Sequence, residues 1–470
     1  MSKTKNIKIG MAGLMTHPFS GPKEQYFFED SQKIKEISEK LGAEVIIFSK
    51  GIYDLRSAND AALEFHRQDV DLVLLQTSSF SGGSFIHPFL DIHSPIALWA
   101  IPEGEPTNEG GLPLNSLTAM NLYNSIIKTR TRLRNEPVKW FFGRAKDPDF
   151  QKRFESLLRA SYTAKNLREA RIGLIGGVAP GFDNLIVDPQ QLNSKLGTTL
   201  LDFDLAQIYS LADRVSDTES INQNYQKLIT QTKKYSSHLE KFFQATARFQ
   251  TAFEIFFKEN DLQAIALSCW PSFQEQRQLA VCTLMGQLND TGIISSCEGD
   301  VPGAVGMLTL HLLSQGKVPT IMDMVTMDST DNSVLLWHCG PSAPSLADKN
   351  GVEMQSLWLY DKDPHGPLGL HNNLRLKPCP ATILGFTPDF SQELIIEGRL
   401  DNQKPSYSGS SAWMHDLQMH GENLHCTDLI QTIMVSGYQH HYPLVYGNYG
   451  KAARDLATLL DIQAIEPQSY

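Results

Sequence analysis

Residues 291–340 read TGIISSCEGDVPGAVGMLTLHLLSQGKVPTIMDMVTMDSTDNSVLLWHCG, and the fold turns on them. Gly292 to Ser296 is a short apolar run ending at Cys297-Glu298. Val301 to Leu313 then carries apolar residues at helical spacing behind an early proline. Val318 to Met322 is a second β-like run ending in Asp323, and Val334 to Trp337 a third ending in His338. Glu298, Asp323 and His338 are therefore expected at the ends of three consecutive strands. Strand ends in α/β proteins face a common crevice, so the three side chains are expected to converge despite their separation in sequence. Two carboxylates and an imidazole make a hard oxygen-and-nitrogen set that suits Mn²⁺, or Mg²⁺ or Co²⁺, better than a thiolate-seeking metal.

Each member also has a structural reading. Asp300 precedes the proline-containing helix start, where a carboxylate satisfies orphan N–H groups, so it is expected to cap rather than to ligate. Asp323 interrupts an apolar run, and an unpaired carboxylate there would cost on the order of several kcal/mol, so it needs a partner. A metal is the simplest one. His338 by itself would serve equally as a satisfied core histidine, and the set is more specific than its members.

Outward from this stretch the chain alternates strands and helices. Ile7 to Met11, Glu44 to Phe48, Leu72 to Gln76 and Ile96 to Ala100 are β-like, with helical stretches at Tyr26 to Leu41 and Ala61 to Gln68 between them. That rhythm predicts a parallel sheet covered on both faces. The polar loops QTSSFSGG (76–83) and IPEGEPTNEGG (101–111) follow its third and fourth strands, at the crevice end. A second α/β unit opens at Arg171 with RIGLIGGVAPGFDN, whose glycine spacing does not fit a dinucleotide fingerprint. A long helix is expected over about 219–259, with Leu239, Phe242, Phe249, Phe253 and Phe256 forming a stripe for a core or a neighbouring subunit. Trp270 closes the next strand, as a crevice wall or as a structural residue.

Beyond about Met324 helical periodicity gives way to short β runs, SLWLY (356–360), CPATILGF (379–386) and ELIIEGRL (393–400), the pattern of an antiparallel sheet or barrel. Asp428 to Ser436 is unassigned, and Ala452 to Leu460 reads as a closing helix. The expected fold is α/β: two Rossmann-like parallel-sheet domains, 1–168 and 169–320, followed by a β-rich, barrel-like domain at 321–470. Boundaries are expected near 167–171 and 318–326.

The 470 residues are enough for two or three domains with a substantial core. With 41 Lys+Arg against 52 Asp+Glu, the formal charge of −11 argues against nucleic acid or an anionic membrane as partner. The opening MSKTKNIKIGMAG lacks an apolar signal core, no later run reaches membrane-span length, and the six cysteines form no C-x-x-C pair. These features predict a cytoplasmic protein with free thiols.

CEGDVPGA (297–304), PTIMD (319–323), VLLWHCG (334–340) and HHYPLVYGNYGKAARDLATLLDI (440–462) together resemble the metal-dependent aldose–ketose isomerases of the L-fucose and L-arabinose isomerase group. The resemblance puts His441, the second histidine of the pair, in a metal-ligand position, and not His440. It implies metal ligands Glu298, Asp323 and His441, joined by His338 on the pattern of the arabinose branch. It also implies an intramolecular oxidoreductase that passes a proton between C2 and C1 of a sugar through a cis-enediol, with Glu298 as base and Asp323 as second acid–base group. His338, Trp337, Gln76 and His17 are the expected sugar contacts, with His87, Trp270 and Tyr446 behind them.

The fucose branch grips its sugar with an arginine just after the first strand. Here the corresponding GMAGLMTHPFSG has none, which leaves open a pentose, a deoxyhexose or a hexose modified at C6. The family's habit implies a homo-oligomer, trimer or hexamer, with the active site shared between chains. Two rivals are a metal-dependent aldolase or hydrolase on the same scaffold and a non-catalytic sugar-binding protein.

Overall fold

The computed structural model describes residues 6–130, 138–358 and 368–470. The chain divides into two compact units, Thr4–Lys165 and Asn166–Tyr470. In the first, strands β1 (Lys8–Leu14), β2 (Glu44–Ile52), β3 (Leu72–Thr77), β4 (Ile96–Ala100) and β5 (Val138–Phe142) form a parallel sheet in the order β2-β1-β3-β4-β5. Helices α1 (Lys23–Lys40), α2 (Leu55–Arg67), α3 (Ser116–Arg130) and α4 (Pro148–Arg168) alternate with the strands. β3 and β4 are buried along their whole length, as strands of a parallel sheet covered on both faces must be. Asp54 and Ser57 close a capping box at the start of α2. Gly10 on β1 lets that helix approach, since a Cβ there would lie 2.6 Å from the Phe65 ring.

The second unit opens with β6 (Arg171–Ile175), β7 (Thr199–Phe203), β8 (Ala264–Leu267) and β9 (Ile294–Ser296), parallel in the order β7-β6-β8-β9. Its helices are α5 (Pro189–Leu196), α6 (Leu205–Arg214), α7 (Thr218–Gln231), α8 (Glu240–Glu259), α9 (Ser272–Arg277), α10 (Cys282–Asp290) and α11 (Val301–Leu313). Asp188, Asp204 and Asp217 cap α5, α6 and α7 through their side chains. The single long helix expected over 219–259 is two helices. Thr232 is drawn out of α7 because it bridges Val352, and its hydroxyl accepts the Met354 N–H at 2.9 Å.

The same unit continues into β10 (Thr320–Asp328), β11 (Ser333–His338), β12 (Glu353–Ser356), β13 (Leu370–Arg375), β14 (Pro380–Phe386), β15 (Gln392–Asp401), β16 (Ser410–Met419), β17 (Glu422–Asn423), α12 (Cys426–Ser436), β18 (His441–Tyr446) and α13 (Gly450–Leu460). Strands β11, β10, β18, β14, β15 and β16 pair antiparallel in that order, and β16 returns to β11, so the sheet closes as a barrel. The α/β-then-barrel expectation holds. Of the run SLWLY, Ser356 ends β12, and residues 359 and 360 lie outside the described residues. The unassigned stretch before the histidine pair is helix α12, which ends at Gly437 in the left-handed conformation. Among the described residues, no helix is long and apolar enough to cross a membrane.

Helix α11 joins the two sheets of this unit, packing on β8 and β9 and on β14 and β18. It is apolar around nearly its whole circumference, as a helix enclosed on all sides has to be. At Gly306 the barrel comes close enough that a Cβ would lie 2.8 Å from the Pro443 ring and 2.9 Å from the Leu384 carbonyl. Asp323 does not end its strand. It lies inside β10, directly opposite Trp337 on one side and His441 on the other. The boundary expected at 318–326 is thus largely occupied by a barrel strand. The apolar run ends at the carboxylate, whereas the ladder continues past it through the exposed Val325, Thr326 and Met327.

Candidate active site

The site begins in the turn that joins β9 to α11. Glu298 and Gly299 both adopt positive φ, +61° and +71°. A non-glycine residue held there stores about 1–3 kcal/mol of strain, so the neighbourhood has to enforce it. The Ala179 N–H donates to the Glu298 carbonyl at 2.9 Å and the Gly299 N–H to the Leu267 carbonyl at 3.0 Å. A Cβ at Gly299 would collide with the Gly177 carbonyl, so the GGVAPG loop and the turn are pressed together.

Asp300 has two tasks. One oxygen caps α11 by accepting the Gly303 N–H at 2.8 Å, as expected. The other lies 2.9 Å from Nδ1 of His441, with both residues almost completely buried. In the neutral ring this fixes the tautomer, with the proton on Nδ1 and the lone pair on Nε2. Burial opposes charge on His441, but Asp300, with Asp323 and Glu298 beyond it, outweighs burial and holds its pKa above the ordinary histidine range.

The free Nε2 looks at both carboxylates, 3.6 Å from Glu298 Oε2 and 3.9 Å from Asp323 Oδ1. Asp323 Oδ1 is buried without a hydrogen-bond partner. Burial pushes the Asp323 carboxyl up, against the opposing charges of His441 and His440. Ligand atoms of Glu298, His440 and His441 lie within 4.8 Å of one another with Asp323 Oδ1 beside His441, and carboxylates with an imidazole are donors of the type a hard divalent ion takes.

His338 is built differently. Its Nδ1 accepts the Cys339 N–H at 2.8 Å, which leaves the ring proton on Nε2, 3.2 Å from Cys297 Sγ. Burial first, then the charge of His441, pushes its pKa down to about 3, so the ring is neutral. Two further groups join them: Cys297, for which the sequence suggests no role, and His440, which the resemblance leaves out of the ligand set. Cys297 Sγ also lies 3.7 Å from His441 Nε2, and its thiol is held well up by Cys269 and by burial. His440 Nε2 lies 3.2 Å from Glu298 Oε2. The signal was adjacency: Cys297 and His440 each neighbour a proposed ligand at a strand end, where alternation of side chains breaks down.

Around this centre, the Trp337 indole donates to the Ser408 carbonyl at 2.9 Å. Trp270 meets Phe182 edge-on, and Phe182 packs on His440 at 5.5 Å between ring centroids. Tyr446 is tied to the Leu346 carbonyl and the Lys377 N–H, a structural role. Gln76 and His17 belong to the first unit. There Gln76 is buried and donates to Asp30 at 3.0 Å, and Asp30 also takes the Arg144 guanidinium. His17 stacks on Tyr53 at 4.6 Å.

No family model matches the chain. Curated relatives include the sulfoquinovose isomerase of Priestia aryabhattai, 28% identical over 400 residues, covering 84% of this chain and 85% of that protein. That of Alkalicoccus urumqiensis is 27% identical over 412 residues, 87% of this chain and 88% of its own. The sulfoquinovose isomerase of Clostridium sp. (strain MSTE9) is 26% identical over 409 residues, with 84% and 85% covered. Among solved structures, an ABC transporter solute-binding protein from Burkholderia multivorans spans 66% of this chain and 95% of its own at 10% identity, with a TM-score of 0.19. That score is too low to bear on the fold. The chain is a sugar isomerase. It interconverts an aldose and a ketose.

Proposed function

We propose that the substrate is sulfoquinovose, a hexose with a sulfonate at C6, which is converted to the corresponding 2-ketose with a divalent ion, Mn²⁺ in first place. Glu298, Asp323 and His441 would hold the ion. The observation that carries this is the buried, unpartnered Asp323 Oδ1 beside an imidazole nitrogen whose other edge is held by Asp300. The relatives' activity supports the choice of sugar. The resemblance to the L-fucose and L-arabinose isomerases supports the ligand set and an oligomeric assembly in which the exposed His17 of a neighbouring copy reaches the sugar.

Bound there, the ion would supply electrostatic stabilisation of the oxygens at C1 and C2 as negative charge develops. Glu298 takes the proton from C2 and returns it to C1, and Asp323 exchanges the hydroxyl proton. His440, within hydrogen-bond distance of Glu298 Oε2, orients that carboxylate. His338 stays outside the ligand set because its Nε2 carries the proton, and it acts as a hydrogen-bond donor at the edge of the site. The strained turn at Glu298 fixes the base before substrate arrives.

Metal-stripped protein resupplied with Mn²⁺ is expected to convert sulfoquinovose in D₂O, with deuterium entering at C2 of the recovered aldose by NMR. Glu298→Gln is expected to lower kcat roughly 10²–10⁴-fold with the fold intact. Conversion that persists after metal removal, or full activity in Glu298→Gln, would discard the proposed centre. Turnover of an unmodified hexose but not of sulfoquinovose would discard the proposed substrate.

A further inference from the structure

A cavity of about 350 Å³ is lined by Val325, Thr326, Trp337, Trp358, Tyr407 and Ser408. Trp337 lies directly opposite Asp323 in the ladder, and directly opposed residues of antiparallel strands point to the same face. The cavity therefore opens on the sheet face that carries the Asp323 carboxylate. The row can be followed across four strands: His441 on β18, Asp323 on β10, Trp337 on β11 and Ser411 on β16. Asp323 Oδ1 and Ser411 Oγ, on either side of Trp337 in this row, are both buried without a hydrogen-bond partner.

Among the described residues the lining is aromatic and hydroxyl-bearing with one valine, and none of them is charged. Trp337 is set in advance. Its Nε1–H is taken by the Ser408 carbonyl at 2.9 Å, and Gly409 at φ +128° packs so close that a Cβ would lie 2.8 Å from that nitrogen. Trp358 and Tyr407 are by contrast 47% and 64% exposed, an unusual display of aromatic surface beside a polar reaction centre. Fixed aromatic faces with a few hydroxyls around them are the chemistry that receives the C–H face of a carbohydrate.

We propose that this cavity is the subsite for the part of the sugar remote from the reacting carbons, with its C–H face on Trp337 and Trp358 and its hydroxyls toward Thr326, Tyr407 and Ser408. The proposal rests on the isomerase reading and deepens it.

The test uses the full-length, Mn²⁺-loaded protein and two ligands. One is sulfoquinovose. The other is the alditol made by reducing it, which has no carbonyl and cannot isomerise. Trp358→Ala is expected to raise the alditol Kd and the sulfoquinovose KM about tenfold, or ~1.4 kcal/mol. kcat should stay within about threefold, and Trp358→Phe should recover most of the loss. The side chain is half exposed, so its truncation leaves the fold standing, and Tyr407→Ala gives a second, independent variant. An alditol Kd unchanged in both variants overturns the subsite, as does a wild-type protein that does not bind the alditol. A tenfold loss of alditol affinity in a protein that does not turn over sulfoquinovose keeps the subsite and removes the proposed substrate.

Discussion

Asp300 shows how one carboxylate can serve a helix and a reaction centre at once. It gives one oxygen to the N-terminus of α11 and the other to Nδ1 of His441. Asn at this position still caps, but it loses the negative charge that fixes the imidazole. Asp300→Asn is therefore expected to keep the melting temperature close to that of the parent while weakening Mn²⁺ about 10–100-fold by calorimetric titration. His338 makes a different prediction. Its pKa in the folded protein, about 3, lies below the ordinary value of roughly 6.5 in an unfolded chain. Below about pH 6.5 the unfolded chain takes up a proton that the folded one refuses, so stability is present above that pH and is lost progressively toward about 3. In urea melts from pH 7 to pH 4, the parent should lose more stability than His338→Asn. Equal losses would mean that the ring is protonated in the folded protein.

At the scale of elements, the β9–α11 turn is the most constrained piece. A side chain at Gly299 meets both a left-handed φ and the Gly177 carbonyl. Gly299→Ala is expected to lower stability by more than about 1 kcal/mol and to reduce turnover through the displaced Glu298. A variant with parental melting temperature and kcat would show that the loop yields. The sequence carried much of this architecture. The apolar runs of 291–340 do form β9, α11, β10 and β11, and Asp300 does cap. What escaped was whatever depends on partners distant in the chain. Asp323 sits mid-strand because β11 and β18 extend the ladder past it, and α7 stops at Gln231 because residues near 352 compete for its backbone. α12 is hard to read because the exposed Met434 and Val435 blur the buried stripe of Cys426, Leu429 and Ile433. Within the site, the individual carboxylates and imidazoles are legible one by one. The tautomers of His338 and His441, on which the proposed division into donor and ligand rests, come from a neighbouring N–H and a carboxylate 141 residues away and have no local signature.

For the whole molecule, the proposed ligands all belong to the unit Asn166–Tyr470, in which one sheet ends at Glu298 and the barrel supplies Asp323 and His441. An ion that binds only the folded state stabilises it by about 2.7 kcal/mol at a hundred times its Kd. Hydrogen exchange with and without Mn²⁺ should place the added protection in β9, β10 and β18. Equal protection in those strands under both conditions would mean that these side chains hold no ion. The position of β18 carries a further consequence. It fills the slot between β10 and β14, yet it is the last of the closed barrel's strands along the chain. During synthesis Glu298 and Asp323 leave the ribosome long before His441. Until β18 arrives, β10 and β14 have no common neighbour and neither carboxylate has the His441 imidazole beside it. Metal capture in the cell would then follow translation of this strand, and a nascent chain stalled short of it would hold two like charges in an unfinished barrel, open to quality control.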